Sequence, residues 1–393
     1  MNFNEMKNLY DENILPTYGR YAVAFERGLG CRLWDTAGKE YIDFASGIAV
    51  NSVGHSHPKW VKAVCEQAGV LCHVSNLFYT KPGGLLAEKL TSLADMSGLF
   101  FCNSGAEAVE GVIKAARKYS SDKYGQTKRH TIITLQGSFH GRTLAALTAT
   151  GQDKFHKHFH PFVEGFRYIP PNDFAALESE LGDDVCAFMF EPVLGEGGVL
   201  PLDAEYLQRA AALCKERDIL LISDEVQTGI GRTGAWFGFQ NSGIKPDMIT
   251  FAKGIAGGLP LGGFMVGNKP SKTLGPGDHG TTYGGTPVCC AAALATLEII
   301  EPILPQVNEK GAYIRQKIAE MNLPCVTEIR GEGLMLGLKL AGITNTDAVA
   351  KLLAAGLVAL PAGADILRFL PPLTIETADI DAGLKILKNV LGE

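Results

Sequence analysis

Residues 219–229, ILLISDEVQTG, and residues 248–258, MITFAKGIAGG, decide the predicted fold class. Each begins with a short, largely apolar run, Ile219 to Ser223 and Met248 to Ala252, and then turns polar or glycine-rich. Before the first run, residues 203–218 carry apolar side chains at helical spacing. Buried strands that alternate with helices are typical of a mainly parallel sheet covered on both faces.

The same alternation continues upstream, from about residue 60, with three more apolar runs: Leu99 to Cys102, Ile132 to Leu135 and Cys186 to Phe190. We therefore predict an α/β protein whose large domain, residues 49–290, holds a mainly parallel sheet covered by helices. Residues 24–44 break this rhythm, because short β-like runs separated by Gly-containing turns predict a small antiparallel meander.

After about residue 300 the pattern changes to a mixture of strands and helices. It predicts a Gly-rich strand (IRGEGLMLGLKL, 329–340), a helix from Thr346 to Gly356, a strand from Ile366 to Leu370 and a last helix from Thr377. We expect residues 291–393 to form a smaller α/β or α+β domain, against which the N-terminal segment, residues 1–48, packs.

The composition argues against several functional classes. The 393 residues include 36 Lys and Arg against 42 Asp and Glu, a net charge of −6, so a nucleic acid or an acidic membrane surface is not the expected partner. The longest apolar stretch, PVCCAAALATLEII, is shorter than the roughly 20 residues that a bilayer requires. The first residues lack a secretory signal pattern, and nine cysteines without a C-x-x-C pair are expected to stay reduced, which favours the cytoplasm.

Ligands of open parallel sheets bind beyond the carboxyl ends of the strands, so polar residues at those points are candidates. Lys253 leaves a strand for a glycine-rich loop, where lost hydration would lower its pKa toward that of a nucleophile; a lysine that reaches solvent is the alternative. Asp224 could be a buried anion or a turn residue. Ser104 and Gly105 precede a helix, whose N-terminus can hold a phosphate or be an ordinary Ser cap.

Phe139 alone is more often a core residue than a ligand contact. Together, however, an amine nucleophile, a buried carboxylate, a phosphate cup and a planar aromatic ring are the four contacts that pyridoxal phosphate requires. The string GPGDHG (275–280) satisfies G-x-G-x-x-G and makes a nicotinamide-dependent oxidoreductase an alternative, although no strand leads into it. A regulatory module without turnover is a second alternative. HKHFH (156–160) is predicted to be a loop, and no metal site is predicted.

Nine motifs occur in the order in which the class-III pyridoxal-phosphate aminotransferases of fold type I carry them. They are LPTYGRYAVAFERGLGCRLWDTAGKEYIDF (15–44), GHSHP (54–58), NSGAEA (103–108), FHGRT (139–143), EPVLGEGGV (191–199), SDEVQTGIGRTG (223–234), FAKGIAGGLPLGG (251–263), HGTTYGG (279–285) and RFLPPL (368–373). The chain resembles this family, and within it the acetylornithine aminotransferases, with the ornithine aminotransferases close by. Ala106, Thr286 and Cys289 depart from the residues usual in the family.

The resemblance implies roles for individual residues. Lys253 would be the lysine bonded covalently to the cofactor, and Asp224 the partner of its pyridine nitrogen. The other implied cofactor contacts are Ser104, Gly105, Ala106, Phe139, Glu225, Val226, Gln227 and, from the neighbouring subunit of a homodimer, Thr282. The implied substrate contacts are Tyr18 and Arg142 for a carboxylate, Arg368 for the α-carboxylate of glutamate, Glu196 as the alternative partner of Arg368, and Thr281 near the acetylornithine end.

The resemblance also implies a reaction. The expected activity is the transfer of an amino group from N2-acetylornithine to 2-oxoglutarate, in arginine biosynthesis, with N-acetylglutamate 5-semialdehyde and glutamate as products. Because both substrates would use one site in turn, ping-pong kinetics are expected. Ornithine, succinylornithine and 4-aminobutyrate are the alternative amino donors within the family.

Overall fold

The computed structural model describes residues 1–125 and 128–392. Its helices are α1 (Phe3–Asn13), α2 (Ser46–Ala49), α3 (Pro58–Ala68), α4 (Lys81–Ala94), α5 (Gly105–Tyr124), α6 (Leu144–Ala149), α7 (Phe174–Glu180), α8 (Ala204–Glu216), α9 (Pro287–Ile300), α10 (Gln306–Met321), α11 (Asn345–Ala355) and α12 (Thr377–Leu391). Short 3₁₀ helices span Asp153–Phe155, Gly238–Ser242, Lys253–Ala256 and Glu301–Ile303.

The strands are β1 (Phe25–Leu29), β2 (Arg32–Asp35), β3 (Glu40–Asp43), β4 (Gly98–Cys102), β5 (Thr131–Leu135), β6 (Phe166–Ile169), β7 (Val185–Phe190), β8 (Val193–Leu194), β9 (Leu200–Pro201), β10 (Leu220–Asp224), β11 (Met248–Phe251), β12 (Gly262–Val266), β13 (Val326–Glu332), β14 (Met335–Leu340), β15 (Leu357–Val358), β16 (Leu360–Ala362) and β17 (Ile366–Phe369). All five predicted apolar runs of the large domain are strands, with bounds shifted by no more than one residue.

The large sheet has seven strands in the order β4-β12-β11-β10-β7-β5-β6. The pairs within β11-β10-β7-β5-β6 are parallel, and every residue of β5, β7, β10 and β11 is buried. This arrangement confirms the predicted α/β class, because strands covered on both faces must be apolar throughout. It also brings the carboxyl ends of β5, β7, β10 and β11 to one edge of the sheet.

Strand β12 was not predicted, because its glycines indicated a loop. It pairs antiparallel with both β11 and β4. A Cβ at Gly263 would lie 2.5 Å from the Phe100 carbonyl oxygen, so only glycine allows the backbones to approach this closely. Helix α5 packs on this strand in the same way, since a Cβ at Gly111 would lie 2.2 Å from the Phe264 ring.

A four-stranded sheet, β13-β14-β17-β16, lies within the C-terminal part, and another joins strands from both ends of the chain. The predicted meander is present as β1-β2-β3, and β15 extends it by pairing parallel with β3. The prediction of one strand over IRGEGLMLGLKL is wrong. This segment contains the hairpin β13-β14, because Gly333, with φ of 51°, turns the chain. The domain boundaries at 48/49 and 290/291 stay predictions.

Local capping explains the helix bounds of the C-terminal part. Helix α11 begins one residue before the predicted Thr346, because the Thr344 hydroxyl accepts a hydrogen bond from the backbone N–H of Asp347. It ends before Gly356, whose φ of 97° closes the helix.

Within the described residues no single helix has the length and apolar character to cross a bilayer. Pro287–Ile303 and Gln306–Met321 meet that criterion only as a pair bent by 66°.

Candidate active site

A cavity of about 540 Å³ lies at the carboxyl ends of β4, β5, β7, β10 and β11. Its volume is in the range of small-molecule sites. Polar strand-end residues line it together with a glycine-rich wall, among them Asn103, Ser104, Gly105, Ala106, Phe139, His140, Arg142, Glu191, Asp224, Val226, Gln227, Lys253 and Gly258. A second cavity, of about 650 Å³, lies between α1, residues 16–25 and residues 349–360, and Tyr18 lines both cavities.

Lys253 lies two residues after the end of β11 and has a φ of 45°, in the left-handed region that non-glycine residues seldom adopt. Such strain is concentrated at functional sites. Burial lowers the pKa of the Lys253 amine, and the charge of Arg368 acts in the same direction, whereas Glu196, Glu191 and Asp224 oppose it. The amine is therefore more readily neutral than a lysine in water.

Asp224 is the last residue of β10, and only 3% of its surface is exposed. One carboxylate oxygen, Oδ1, accepts hydrogen bonds from Thr250 Oγ1 at 2.8 Å and from the Val226 backbone N–H at 3.1 Å. The other, Oδ2, lies 2.6 Å from His140 Nδ1. These partners satisfy the hydrogen-bonding capacity of the carboxylate and fix its direction at the cavity wall.

Two further residues that were not predicted, His140 and Glu191, also line the cavity. Glu191 directly follows the apolar run of β7, so the strand-end rule that selected Asp224 also selects Glu191. The Glu191 carboxylate accepts hydrogen bonds from the backbone N–H groups of Phe139 at 2.8 Å and Gly195 at 3.2 Å. Burial, together with the charge of Asp224, raises the pKa of Glu191 to about 7, although His140 opposes the shift.

Replacement of Glu191 by Gln should remove a pH dependence of stability. Because the folded protein holds the Glu191 proton more tightly than the unfolded chain, this group stabilises the fold fully below its ordinary pKa. That contribution is lost as the pH rises through about 7. A pKa change of this size corresponds to roughly 3 kcal/mol. Urea denaturation should therefore show that the wild-type protein loses stability relative to Glu191→Gln between pH 5 and pH 8. Parallel pH profiles of stability for the two proteins would contradict this prediction.

The N-terminus of α5 forms the other end of the cavity. Ser104 caps the helix, because its Oγ accepts a hydrogen bond from the backbone N–H of Glu107 at 3.2 Å. A Cβ at Gly105 would lie 2.7 Å from Val226 Cγ1, so only a glycine allows the helix end to pack against the loop after β10. Backbone N–H groups and the positive helix end make this position suitable for a phosphate.

Arg368, on β17, is buried and forms an ion pair with Glu196, with 2.6 Å between Nη1 and Oε1. The same nitrogen donates to Gln227 Oε1 at 3.1 Å, which connects the pair to the cavity wall. Burial acts to raise the pKa of Glu196, but the charge and hydrogen bond of Arg368 overcome it, so the pKa is lowered. Both charges are near enough to Lys253 to shift its pKa.

The structure therefore brings most of the predicted residues together. The cavity is lined by Tyr18, Ser104, Gly105, Ala106, Phe139, Arg142, Asp224, Val226, Gln227 and Lys253. Glu196 and Arg368 lie at its Gln227 wall, and Thr281 Oγ1 accepts a hydrogen bond from the lining residue Asn103 at 3.3 Å.

Two predicted residues lie elsewhere. The Glu225 side chain points away from the cavity, because Ser223 and Thr228 and the backbone N–H groups of Gly238 and Phe239 donate to it on the other side. Its predicted cofactor contact is therefore not supported for the side chain. Thr282 is exposed and does not line the cavity of its own chain.

The profile of the family Aminotransferase class-III matches residues 16–391. The chain belongs to the class-III aminotransferases. It is 48% identical to the acetylornithine aminotransferase of Haemophilus ducreyi over all of both chains. Its fold is similar to a structure of the ornithine aminotransferase of Toxoplasma gondii, described with PLP at partial occupancy, with a TM-score of 0.94, 31% identity and 99% and 94% of the two chains covered.

The N-acetylornithine aminotransferase of Stenotrophomonas maltophilia K279a is similar as well, with a TM-score of 0.85, 37% identity and 98% of each chain covered. This aminotransferase thus has the fold of pyridoxal-phosphate enzymes of fold type I, as the sequence predicts. Pyridoxal phosphate is the cofactor of the family, and the cavity fits it. The α5 N-terminus suits its phosphate, Asp224 suits a protonated ring nitrogen, and the amine of Lys253, which lines the cavity, suits an aldehyde.

Proposed function

We propose that this aminotransferase transfers the terminal amino group of N2-acetylornithine to 2-oxoglutarate, in arginine biosynthesis. The buried Arg368–Glu196 pair beside Lys253 carries this proposal, because it can adapt the site to two substrates with different charges at the reacting end. The identity of 48% to an acetylornithine aminotransferase over the whole chain supports it.

In this proposal, pyridoxal phosphate supplies an electron sink for the negative charge that develops on the substrate carbon beside the amine. Asp224 would face the ring nitrogen and favour its protonated form, since its carboxylate is buried and held by Thr250 and His140. Ser104, Gly105 and Ala106 would hold the phosphate, Phe139 and Val226 would flank the ring, and Gln227 would contact the 3′-oxygen.

Lys253 has two tasks. Its amine would hold the cofactor between turnovers, and the freed neutral amine would then take up the proton from the substrate carbon as a general base. Both tasks need a neutral amine, and burial lowers the pKa of Lys253 in the required direction. The left-handed backbone at this residue holds the amine in the cavity rather than toward solvent.

Arg368 and Glu196 distinguish the two half-reactions. The terminal amine of acetylornithine has no carboxylate next to it, so Glu196 neutralises Arg368 while this substrate reacts. Glutamate and 2-oxoglutarate bring a carboxylate to the same place, where it replaces Glu196 as the partner of Arg368. Arg142 and Tyr18 bind the remaining carboxylate, and Thr281 lies near the acetylornithine end. This exchange requires Glu196 to be mobile, and its side chain is 29% exposed whereas that of Arg368 is 2% exposed.

A homodimer with shared active sites belongs to the same proposal. Leu77 and Phe78 are 86% and 69% exposed and form, with Tyr79, an apolar surface that we call the 77–79 patch. Asn76 donates to the Thr281 carbonyl oxygen at 3.1 Å, so the patch is attached to the loop that carries Thr282. Contiguous exposed apolar surface marks an interaction site. In a dimer formed through this patch, Thr282 of the partner subunit is the proposed additional contact of the phosphate.

Phe78→Glu should separate the two subunits. A charge buried in an apolar interface is costly, so the dimer should weaken by about a hundredfold or more. Light scattering during gel filtration should give the mass of two chains for the wild type and of one chain for Phe78→Glu, with loss of turnover. Leu29→Glu, a change at another exposed apolar residue, outside the patch, is the control. A wild-type protein that is active as a single chain would contradict the shared site.

The choice of amino donor is tested by single-turnover kinetics. We expect the absorbance of the bound cofactor to change fastest with acetylornithine, more slowly with ornithine and succinylornithine, and slowest with 4-aminobutyrate. Ornithine is the strongest competitor, since the fold also superimposes on an ornithine aminotransferase. A faster reaction with ornithine than with acetylornithine would overturn the proposed substrate and leave the transamination chemistry intact.

A further inference from the structure

Arg142 is held in an unusual way for an arginine at a cavity. Its guanidinium carbon lies 4.2 Å from the centre of the Phe155 ring and 5.6 Å from the centre of the Phe139 ring. The structure gives it no hydrogen bond or ion pair to any residue in the ranges 1–125 and 128–392. A cation–π contact orients the guanidinium through its face and leaves the N–H donors at its edge unoccupied.

Phe155 is fixed relative to the segment that carries Arg142. It ends the 3₁₀ helix Asp153–Phe155, in which its backbone N–H donates to the Gln152 carbonyl oxygen at 3.0 Å. The Gln152 side chain donates to the Ser138 carbonyl oxygen at 2.9 Å, next to Phe139. The Phe139 and Phe155 rings meet edge to face, with 5.8 Å between their centres. The two rings and the loop therefore form one support for the guanidinium.

We propose that Phe155 is a positioning residue for substrate binding, which holds Arg142 ready for the carboxylate of the amino donor. The inference rests on the proposed function, in which Arg142 binds that carboxylate. An acidic residue could also orient Arg142, but it would occupy the same N–H donors and compete with the substrate. An aromatic ring leaves those N–H donors available to the substrate, because it contacts the face of the guanidinium rather than its edge.

The proposal is tested with Phe155→Leu, Phe155→Tyr and the control Phe159→Leu, which changes an exposed phenylalanine of the same loop. Loss of the ring should raise KM for acetylornithine by roughly two- to fivefold with little change in kcat, because only substrate binding is affected. Phe155→Tyr retains an aromatic face and should restore KM. Phe159→Leu should behave as the wild type.

A donor without the carboxylate distinguishes positioning from general damage to the loop. N-acetyl-1,4-diaminobutane is acetylornithine with its carboxylate removed, so Phe155→Leu should leave its half-reaction unchanged. An unchanged KM for acetylornithine, or an equal loss with both amines, would overturn the assignment. The proposed function is judged separately, on the wild type. If ornithine reacts in place of acetylornithine, the Phe155 comparison is made with ornithine and 1,4-diaminobutane, and the same two outcomes decide it.

Discussion

Lys253→Ala is expected to lose multiple-turnover transamination by roughly a thousandfold or more, because the change removes both the nucleophile that holds the cofactor and the proton-transfer base. The expected cause is chemical rather than structural. Alanine fills less of the buried cavity, and it leaves the partners of Asp224 in place. Steady-state rates with acetylornithine and 2-oxoglutarate measure the effect directly.

The covalent role of Lys253 has its own measurement. After the wild-type protein is loaded with pyridoxal phosphate and reduced with borohydride, mass spectrometry should find the pyridoxyl group on the peptide that contains residue 253. Lys245, an exposed lysine paired with Asp95, provides the matched control, since Lys245→Ala should retain both the label and the rate. A label on a different peptide, or full turnover by Lys253→Ala, would refute the assignment and with it the proposed mechanism.

Arg368→Leu is expected to divide the two half-reactions. The reaction of the aminated enzyme with 2-oxoglutarate should slow by about two orders of magnitude or more, because a buried, charge-assisted partner of the α-carboxylate is removed. The half-reaction with acetylornithine should lose much less, since Arg368 is paired with Glu196 while that substrate reacts. Single-turnover measurements, each started with one substrate, separate these effects.

Two further variants serve as controls for Arg368→Leu. Glu196→Gln leaves Arg368 without its counter-charge, so it should impair the acetylornithine half-reaction more than the 2-oxoglutarate half-reaction. This pattern is the opposite of the one expected for Arg368→Leu. Arg330→Leu removes an arginine on β13 that donates to the Gly198 carbonyl oxygen, close to the same region, and should affect both halves alike. Equal losses in both half-reactions of Arg368→Leu would mean that Arg368 does not act as a selective carboxylate binder.

Much of the site could be predicted from the sequence, because a parallel sheet brings the carboxyl ends of its strands to one edge. Asp224 and Lys253 lie 29 positions apart in the chain but end neighbouring strands, which the apolar runs alone could locate. Glu191 was accessible by the same rule and was overlooked. The contact between His140 and Asp224 could not be predicted in this way, since nothing in the motif FHGRT indicates that the His140 ring turns toward β10.

The direction of a side chain is harder to predict than the position of its residue. Glu225 follows Asp224 directly, yet its carboxylate turns away from the cavity to donors from residues 223, 228, 238 and 239. A buried carboxylate must face its donors, and these come together only when the chain is folded. The same holds for Arg142, whose aromatic support includes a ring 13 positions away in an irregular loop.

Local patterns were sufficient for the α/β class, for five of the seven strands of the large sheet (β4, β5, β7, β10 and β11) and for the positions of Lys253 and Asp224, since burial on both faces imposes continuous apolar runs and loops begin where those runs end. The pairing of β12 between β11 and β4, the contact of Arg368 with Glu196 and the left-handed backbone of Lys253 depend on packing between distant segments. These features are stabilised by close packing and by the exclusion of water. Both arise only when the helices and sheets have packed against one another.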